Sequence, residues 1–176
     1  TGKDCGLEER APMCGIPYHA ADTYIARLIQ KGYKVAICEQ VEDPKKAKGL
    51  VQRKVIKIIT PGTTMTEGTL TEDENNFICS IILRDGKYGI ATADISTGQF
   101  MVTEVDQASK VLDEITKFEP SEIVTLEGQD LFPEDDLSTE TYNMLLQKLN
   151  IMVSPVSKSD FELKSSIERI EKQFHT

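Results

Sequence analysis

Phe77-Ile-Cys-Ser-Ile-Ile-Leu-Arg84 and Lys87-Tyr-Gly-Ile-Ala-Thr-Ala-Asp-Ile95 flank the dipeptide Asp85-Gly86. Runs rich in β-branched and other apolar residues favour strands, and Asp-Gly between two such runs is a strong signal for a tight hairpin turn. Thr97-Gly98 turns the chain again before a third run, Gln99–Val105. The three runs therefore predict an antiparallel meander.

Helical and extended patterns alternate after the meander. Helical patterns occupy 106–118, 138–149 and 159–174, and extended patterns occupy 122–126 and 151–153. Three meander strands followed by such alternation are typical of one mixed sheet with helices packed on it. We therefore predict an α/β unit that begins at Phe77.

The first sixty residues predict a smaller α+β unit. Glycine and proline are frequent in 1–18, which we expect to be mostly loop. The regular elements are predicted as a helix at 21–31, a short helical turn at 43–49, and strands at 34–40 and 51–60. The inward face of the helix is predicted to consist of Tyr24, Ile25, Leu28 and Ile29.

Residues 61–76 separate the two units. They are rich in Thr, Gly and Glu and poor in apolar residues, which is typical of a linker or an exposed loop. Residues 1–60 contain 11 Lys and Arg against 7 Asp and Glu, whereas the remaining residues contain 9 against 22, giving net charges of +4 and −13. The first unit can therefore approach a phosphate backbone, and the second would be repelled by one over most of its surface.

Composition and motifs argue against several classes of protein. The longest clearly apolar stretch, Phe77–Leu83, is about a third of the ~20 residues that a membrane helix needs, and the first residues do not resemble a signal peptide. Because the chain lacks an initiator Met, we expect it to be a piece of a longer protein. Gly62-Thr63-Thr64 lacks the lysine of a phosphate-binding loop, so we expect no ATP binding.

The four cysteines predict free thiols in a reducing compartment. None of them form a C-x-x-C pair, and a zinc site built from Cys5, Cys14 and His19 is a weak alternative. Cys38 and Cys79 lie in apolar runs, so we predict that both are buried.

Several motifs then point to one family. Ala11-Pro-Met-Cys-Gly-Ile-Pro-Tyr-His-Ala20 is followed by Gly32-Tyr-Lys-Val-Ala-Ile-Cys-Glu-Gln40 and Asp43-Pro44. Val55-Ile-Lys-Ile-Ile-Thr-Pro-Gly-Thr63 and Gly89-Ile-Ala-Thr-Ala-Asp-Ile-Ser-Thr-Gly98 come next. In this order and spacing the set resembles the MutS family of bacterial DNA mismatch-repair proteins over essentially the whole chain, more loosely after Val105.

The resemblance implies a domain assignment. Residues 1–60 would be part of the mismatch-recognition domain, 61–76 a linker, and 77–176 a connector domain of ribonuclease H-like α/β fold, truncated before its last elements. The family reads a mismatch with a Phe-x-Glu motif that lies upstream of this segment. Phe132-Pro133-Glu134 matches those letters, but it lies in an acidic loop and we interpret it as chance.

The resemblance also implies partners. The first unit would bind double-stranded DNA carrying mispaired or looped bases, weakly in isolation, and the connector would engage MutL, with the acidic loop 127–140 as one possible docking surface that we expect to be solvated and mobile. The full-length family is cytoplasmic, forms homodimers and uses ATP and Mg in a region absent here. We therefore predict no enzymatic activity and no catalytic, metal-binding or cofactor-binding residue in this chain.

Gly15-Ile16-Pro17-Tyr18 is the first candidate DNA-binding element. A glycine allows close approach of the backbone to a partner, and a proline reduces the cost of ordering a loop. By resemblance this loop and Met13 lie near the minor groove, where an apolar wedge helps to hold a kinked duplex. The alternative is that Met13, Ile16 and Tyr18 pack on the following helix. His19 is predicted to enter that helix rather than to act as a base.

Basic side chains form the second candidate group. Lys3, Lys45 and Lys48 are predicted to contact phosphates, which adds affinity without reading sequence. Arg10 and Lys46 could act in the same way. The alternative is an ordinary solvated surface.

Asp94 supports a competing hypothesis, a stand-alone ribonuclease H-like nuclease. Such folds often carry metal-binding aspartates on their first strands, and two-metal chemistry needs a cluster of carboxylates. Asp113, Glu114 and Glu122 are the other candidates, but nothing in the sequence indicates that they converge. An Asp before a turn more often accepts hydrogen bonds from nearby backbone N–H groups.

Overall fold

The computed structural model describes residues 2–3, 11–12, 15–43, 51–64, 75–133 and 135–175. The described part of the first unit contains two small antiparallel sheets and one helix. These elements are β1 (Gly2–Lys3), β2 (Ala11–Pro12), α1 (Ala21–Gln30), β3 (Val35–Gln40) and β4 (Arg53–Ile59). β1 pairs with β2, and β3 pairs with β4. The predicted helix and both predicted strands are confirmed, and the helical turn predicted at 43–49 lies almost wholly outside the described residues.

Helix α1 packs on the small sheet through a narrower face than the sequence predicts. Asp22 lies in its first turn, where a carboxylate favours the helix dipole, and Gly32 follows its end with φ +78°. Ala26 and Ile29 are buried, whereas Tyr24 and Leu28 are exposed, so the prediction for these last two is wrong. A two-stranded sheet is too narrow to cover the full apolar face of a helix.

The opposite face of the small sheet is uncovered. Ile58 pairs with Ala36 in the register of β3 and β4, and a bulge follows between Ile37 and Cys38. Ile58 is 60% exposed and Cys38 is also exposed. The prediction that Cys38 is buried is therefore wrong, because its apolar neighbours belong to a two-stranded sheet that, among the described elements, packs against α1 alone.

The second unit is built on one five-stranded sheet. Its elements are β5 (Phe77–Arg84), β6 (Lys87–Asp94), β7 (Gln99–Val105), α2 (Ala108–Phe118), β8 (Glu122–Leu126), α3 (Asp136–Lys148), β9 (Met152–Val156) and α4 (Leu163–Phe174). The strand order is β7-β6-β5-β8-β9. The first three strands form the antiparallel meander, β8 runs parallel to β5, and β9 runs parallel to β8. The predicted mixed α/β class is confirmed.

The core of this unit lies on one face of the sheet. Alternate residues of β5 and β6 point inward, and they meet α2 and α3. Ile81, Val111, Ile115 and Ile123 are fully buried, and Cys79 is buried as predicted. Described residues of α4 include no buried side chain, and the ring of its Phe174 lies 6.3 Å from that of Phe100.

Two segments near the end of the chain differ from the prediction in detail. Strand β9 extends to Val156 and includes Pro155, which an edge strand tolerates because one side of its backbone needs no ladder partner. The helix predicted at 159–174 is divided into a 3-10 turn, Lys158–Phe161, and α4.

The acidic loop is packed more closely than predicted. Leu131 and Phe132 are buried in the core. The side chain of Gln129 accepts a hydrogen bond from Leu83 N–H at 3.1 Å and donates one to Leu83 C=O at 2.7 Å. Asp135 then caps α3 by accepting from Ser138 N–H at 2.9 Å. Its polar residues satisfy particular backbone groups, so the loop is not simply a solvated segment.

The predicted exposure of the segment between the units is wrong at both of its described ends. Gly62, Thr64 and Asn76 are buried, and a 3-10 turn spans Pro61–Thr63. Residues 65–74 lie outside the described residues. The polar composition suggested solvent contact, but these ends find hydrogen-bonding partners inside the second unit.

Candidate nucleic-acid interface

The loop Gly15–Tyr18 lies on the surface immediately before α1. Pro17 precedes a 3-10 turn, Tyr18–Ala20, and its carbonyl accepts a hydrogen bond from Ala20 N–H at 3.0 Å. Gly15 and Pro17 are exposed, and Tyr18 is 92% exposed. The sequence left open whether Ile16 and Tyr18 pack on the helix, and their exposure disfavours that alternative. The loop therefore presents an aromatic ring to solvent.

His19 lies in the 3-10 turn that leads into α1, where the sequence predicts a helix-entry residue. It is exposed, and it contributes a polar group beside Tyr18. Further along the chain, on α1, the guanidinium of Arg27 lies 5.7 Å from the centre of the Tyr24 ring. A cation over an aromatic face is held in place while its charge stays available to solvent.

The remaining predicted DNA-binding residues fall largely outside the described part of the chain. Lys3 has a described backbone position in β1, opposite Ala11, but its side chain is not described. Met13, Lys45 and Lys48 lie outside the described residues, as do Arg10 and Lys46. Their roles remain predictions.

The structure adds basic residues that the sequence did not single out. Exposed lysines and arginines occur in the turn after α1 and along β4, and they are Lys31, Lys34, Arg53, Lys54 and Lys57. On a strand, alternate side chains point to opposite faces, so β4 presents positive charge on both sides of the small sheet. Exposed cations of this kind give affinity for phosphates without base readout.

The hydrogen bonds that the buried Asp94 accepts indicate a structural role rather than a catalytic one. One carboxylate oxygen accepts from Ser96 N–H at 2.8 Å, Ser96 Oγ at 2.6 Å and Thr97 N–H at 3.4 Å, and the other accepts from Asn76 N–H at 3.3 Å. Burial alone would raise the pKa of Asp94, but these hydrogen bonds outweigh it and lower the pKa below its ordinary value. The carboxylate is therefore an anchor for the β6–β7 turn.

The other carboxylates of the nuclease hypothesis are engaged elsewhere. Asp113 and Glu114 lie on α2 and form ion pairs with Lys110 at 3.4 Å and Lys117 at 3.5 Å. Glu122 is buried on β8, where Ser154 Oγ donates to one of its oxygens. Among the described residues, no three His, Cys, Asp or Glu side chains are close enough together to hold a metal ion. The geometry therefore gives the nuclease hypothesis no support.

The Phe-Pro-Glu match at 132–134 is also explained by the fold. Phe132 is buried, with its ring centre 6.0 Å from that of Tyr88 and 5.4 Å from that of Tyr142. A ring held in the core cannot be inserted beside a base. The interpretation of this match as chance agrees with its position.

Known protein families account for both units. The protein-family model of MutS domain I matches residues 1–68, and that of MutS domain II matches residues 76–176. The chain belongs to the MutS family. The DNA mismatch repair protein MutS of Acetivibrio thermocellus is 49% identical over 177 residues, an alignment that covers 99% of this chain and 20% of that protein. The MutS of Lachnoclostridium phytofermentans is 64% identical over 124 residues, covering 70% of this chain and 13% of the relative.

This MutS-family chain thus spans about a fifth of the length of the first of these relatives, and the matched models are those of domains I and II. A solved structure, T. thermophilus RuvC in complex with a Holliday junction substrate, aligns with a TM-score of 0.36 and 10% identity over 48% of this chain and 66% of that chain. Such a score does not establish a shared fold. None of the helices in the described ranges is long and apolar enough to cross a membrane.

Proposed function

We propose that this chain is part of a DNA mismatch-recognition protein and that its first unit helps to hold the duplex. The observation that carries the proposal is the exposed Tyr18 loop within the segment that matches MutS domain I. An aromatic ring with a polar end suits the boundary between a base step and the wet surface of a groove. The exposed basic residues on β4 would add phosphate contacts.

The second unit would connect the DNA-binding first unit to the rest of the protein. We propose that it relays DNA binding to an ATPase core and to MutL in a cytoplasmic protein that forms homodimers. ATP and Mg would bind in a region that this chain does not contain, and the chain itself would have no enzymatic activity. Its net negative charge fits a protein-facing rather than a DNA-facing role.

The test is salt-dependent binding of the chain to a labelled duplex with one G·T mismatch and to its matched counterpart, followed by fluorescence anisotropy. We expect weak binding to both, with affinity falling steeply as salt rises, because phosphate contacts dominate. Tyr18→Ala should weaken binding about fivefold or more, since contacts between aromatic side chains and bases contribute about 1–3 kcal/mol each.

Tyr33→Ala is the matched control, because Tyr33 is also exposed in the same unit but follows the other end of α1. It should leave the affinity within about twofold of the unsubstituted chain. Equal losses in the two variants, or no binding to either duplex at low salt, would overturn the proposed role of the loop. A clear preference for the mismatch would show that the loop reads DNA directly and does not only hold it.

A further inference from the structure

The turn Pro61–Thr63 is inserted into the end of the five-stranded sheet. Thr60 and Thr63 close it as a reciprocal cap, with Thr60 N–H donating to Thr63 Oγ1 at 3.0 Å and the two hydroxyl oxygens 2.8 Å apart. Gly62 N–H donates to Glu122 Oε2 at 3.2 Å in a buried site. The turn therefore has its own rigid shape and a specific hydrogen bond to β8.

Gly62 fits because it has no side chain. A Cβ atom at this position would lie 2.8 Å from the Cβ of Glu122 and 2.9 Å from the Cβ of Ile78. Both contacts are far shorter than real Cβ contacts, and neither atom is the end of a flexible side chain. The close approach of the turn to β5 and β8 therefore depends on glycine at this position.

Asn76 holds the same turn from the other side. Its Nδ2 donates to Pro61 C=O at 2.9 Å and to Thr64 C=O at 3.4 Å, and its Oδ1 accepts from Ser121 Oγ at 2.7 Å. Its backbone N–H donates to Asp94. One buried residue, Asn76, thus connects the turn after β4 with the loop before β8 through its side chain and with the end of β6 through its backbone.

No flexible segment separates this turn from the small sheet. Strand β4 ends at Ile59, which is buried, and the capped turn begins at Thr60. A small polar cavity of about 230 Å³ lies beside the turn, and Gly32 at the end of α1 and Asn150 after α3 both line it. Both the last strand and the helix of the first unit therefore reach the place where the turn is held.

We propose that Gly62, Asn76 and Glu122 are positioning residues that fix the direction in which the first unit leaves the second. The consequence for DNA rests on the proposed function, because a fixed direction would let a duplex held by the Tyr18 loop act on the connector sheet. We call the turn Pro61–Thr63 together with Asn76 and Glu122 the joint. The joint itself does not depend on DNA. Each of the two hydrogen bonds, Gly62 N–H to Glu122 and Asn76 Nδ2 to Pro61 C=O, joins a backbone group to a side chain. Gly62, Asn76 and Glu122 are themselves buried.

The experiment measures the distance between the two units by pulsed electron paramagnetic resonance, as double electron–electron resonance between two spin labels. Spin labels are attached to the exposed Cys38 and to Asp113→Cys on α2, in a chain with Cys5→Ser and Cys14→Ser. The unsubstituted joint should give one narrow distance distribution. Gly62→Ala should broaden it about twofold or more, since units without a fixed interface move relative to each other by default.

Gly89→Ala is the matched control, because a Cβ there would meet only Ile82 Cγ2 at 3.4 Å. It should leave the distribution unchanged. Asn76→Ala provides a second, non-steric break of the joint and should also broaden the distribution if Gly62→Ala does not fold. The far-UV circular dichroism spectrum of each variant is compared with that of the unsubstituted chain. A distance distribution is interpreted only for a variant whose spectrum is unchanged, because such a variant is folded.

A broad distribution in the unsubstituted chain, or a narrow one in both joint variants, would overturn the proposal. Duplex affinity gives an independent readout, because Tyr18 is 92% exposed, whereas Gly62, Asn76 and Glu122 are buried. Gly62→Ala should change the affinity of this chain by less than about twofold. If the unsubstituted chain does not bind the duplex, the proposed function is contradicted. The distance measurement would still test the positioning role of the joint.

Discussion

The two sheets of this chain use similar residues and bury them differently. Ile58 in β4 is 60% exposed, whereas Ile81 in β5 is completely buried. Both lie in strands rich in β-branched residues. The difference arises from what surrounds each strand, because β5 is the central strand of five, whereas β4 pairs with a single strand, β3, among the described residues. Strand propensity therefore predicts the strand but not its burial.

This contrast separates stability from binding. The second unit has a closed core beneath α2 and α3, so it is expected to supply most of the free energy of unfolding. The first unit leaves apolar and basic side chains on its surface. Exposed patches of this composition are typical of surfaces that meet a partner. A division of this kind suits a chain in which one unit is the support and the other makes contacts.

The largest expected difference is between matched truncations in the two sheets. Ile81→Ala should lower the free energy of unfolding by about 3–4 kcal/mol, because it removes buried methyl groups and leaves a cavity. Ile58→Ala should lower it by less than about 1 kcal/mol, since its side chain is already in solvent. Urea unfolding followed by circular dichroism measures both. Similar losses in the two variants would show that another part of the chain covers Ile58.

The cysteines provide a second, chemical comparison. Burial raises the pKa of Cys79 to about 11, and Cys38 is exposed on β3. Because the thiolate is the reactive form, Cys79 should be alkylated by iodoacetamide at pH 8 about 100-fold more slowly than Cys38. Mass spectrometry of the two peptides gives the rates, and the urea-unfolded chain is the control in which both react. Comparable rates in the folded chain would contradict the burial of Cys79.

The meander was predictable because its signals are local. Asp85-Gly86 adopts positive φ at both residues, which is the geometry that this pair favours in a tight hairpin. The predicted bounds of β5 and β7 are confirmed to the residue. Turn chemistry of this kind acts within four residues, so it can be recognised without knowing what packs against the strands.

The joint was not predictable because its partners are distant in sequence. The polar composition of 61–76 predicts that Pro61 and Gly62 are linker residues. Their burial depends on Asn76 and Glu122, and the latter is sixty positions away from Gly62. Only the fold shows that these groups meet. A Pro-Gly pair flanked by two threonines was the one signal that a rigid turn was present.

The candidate interface was predictable in part. The sequence indicated Gly15, Pro17 and Tyr18 together, and the structure places them in one exposed loop. The sequence does not single out the basic residues of β4, because a strand that mixes Lys and Arg with Val and Ile resembles an ordinary partly exposed strand. Recognising them requires knowing that this strand has few neighbours. The number of covering elements is a property of the tertiary fold, so the sequence pattern alone could not supply it.

The smallest expected effect concerns the anchor at the end of the meander. The pKa of Asp94 is lowered from its ordinary value of 3.8, because its hydrogen bonds outweigh the opposing effect of burial. A carboxyl group with a lowered pKa in the folded state contributes stability that is fully present above the unfolded-state pKa. That contribution is lost as the pH falls through the folded-state pKa. The anchor should therefore be intact at neutral pH and weaken below about pH 4.

Asp94→Asn tests the role of the Asp94 charge. The amide keeps the shape of the side chain but carries no negative charge. Its NH₂ group also faces hydrogen-bond donors that one carboxylate oxygen accepts from in the unsubstituted chain. We expect a loss of about 1–2 kcal/mol at pH 7, the usual range for hydrogen bonds to a charged group. The difference from the unsubstituted chain should be smaller at pH 3 than at pH 7, because the contribution of the Asp94 carboxylate is lost progressively as the pH falls toward its lowered pKa. Asp113→Asn is the control, since its exposed ion pair with Lys110 should contribute less than about 1 kcal/mol. An Asp94 effect of the same size at both pH values would mean that shape, and not charge, holds the turn.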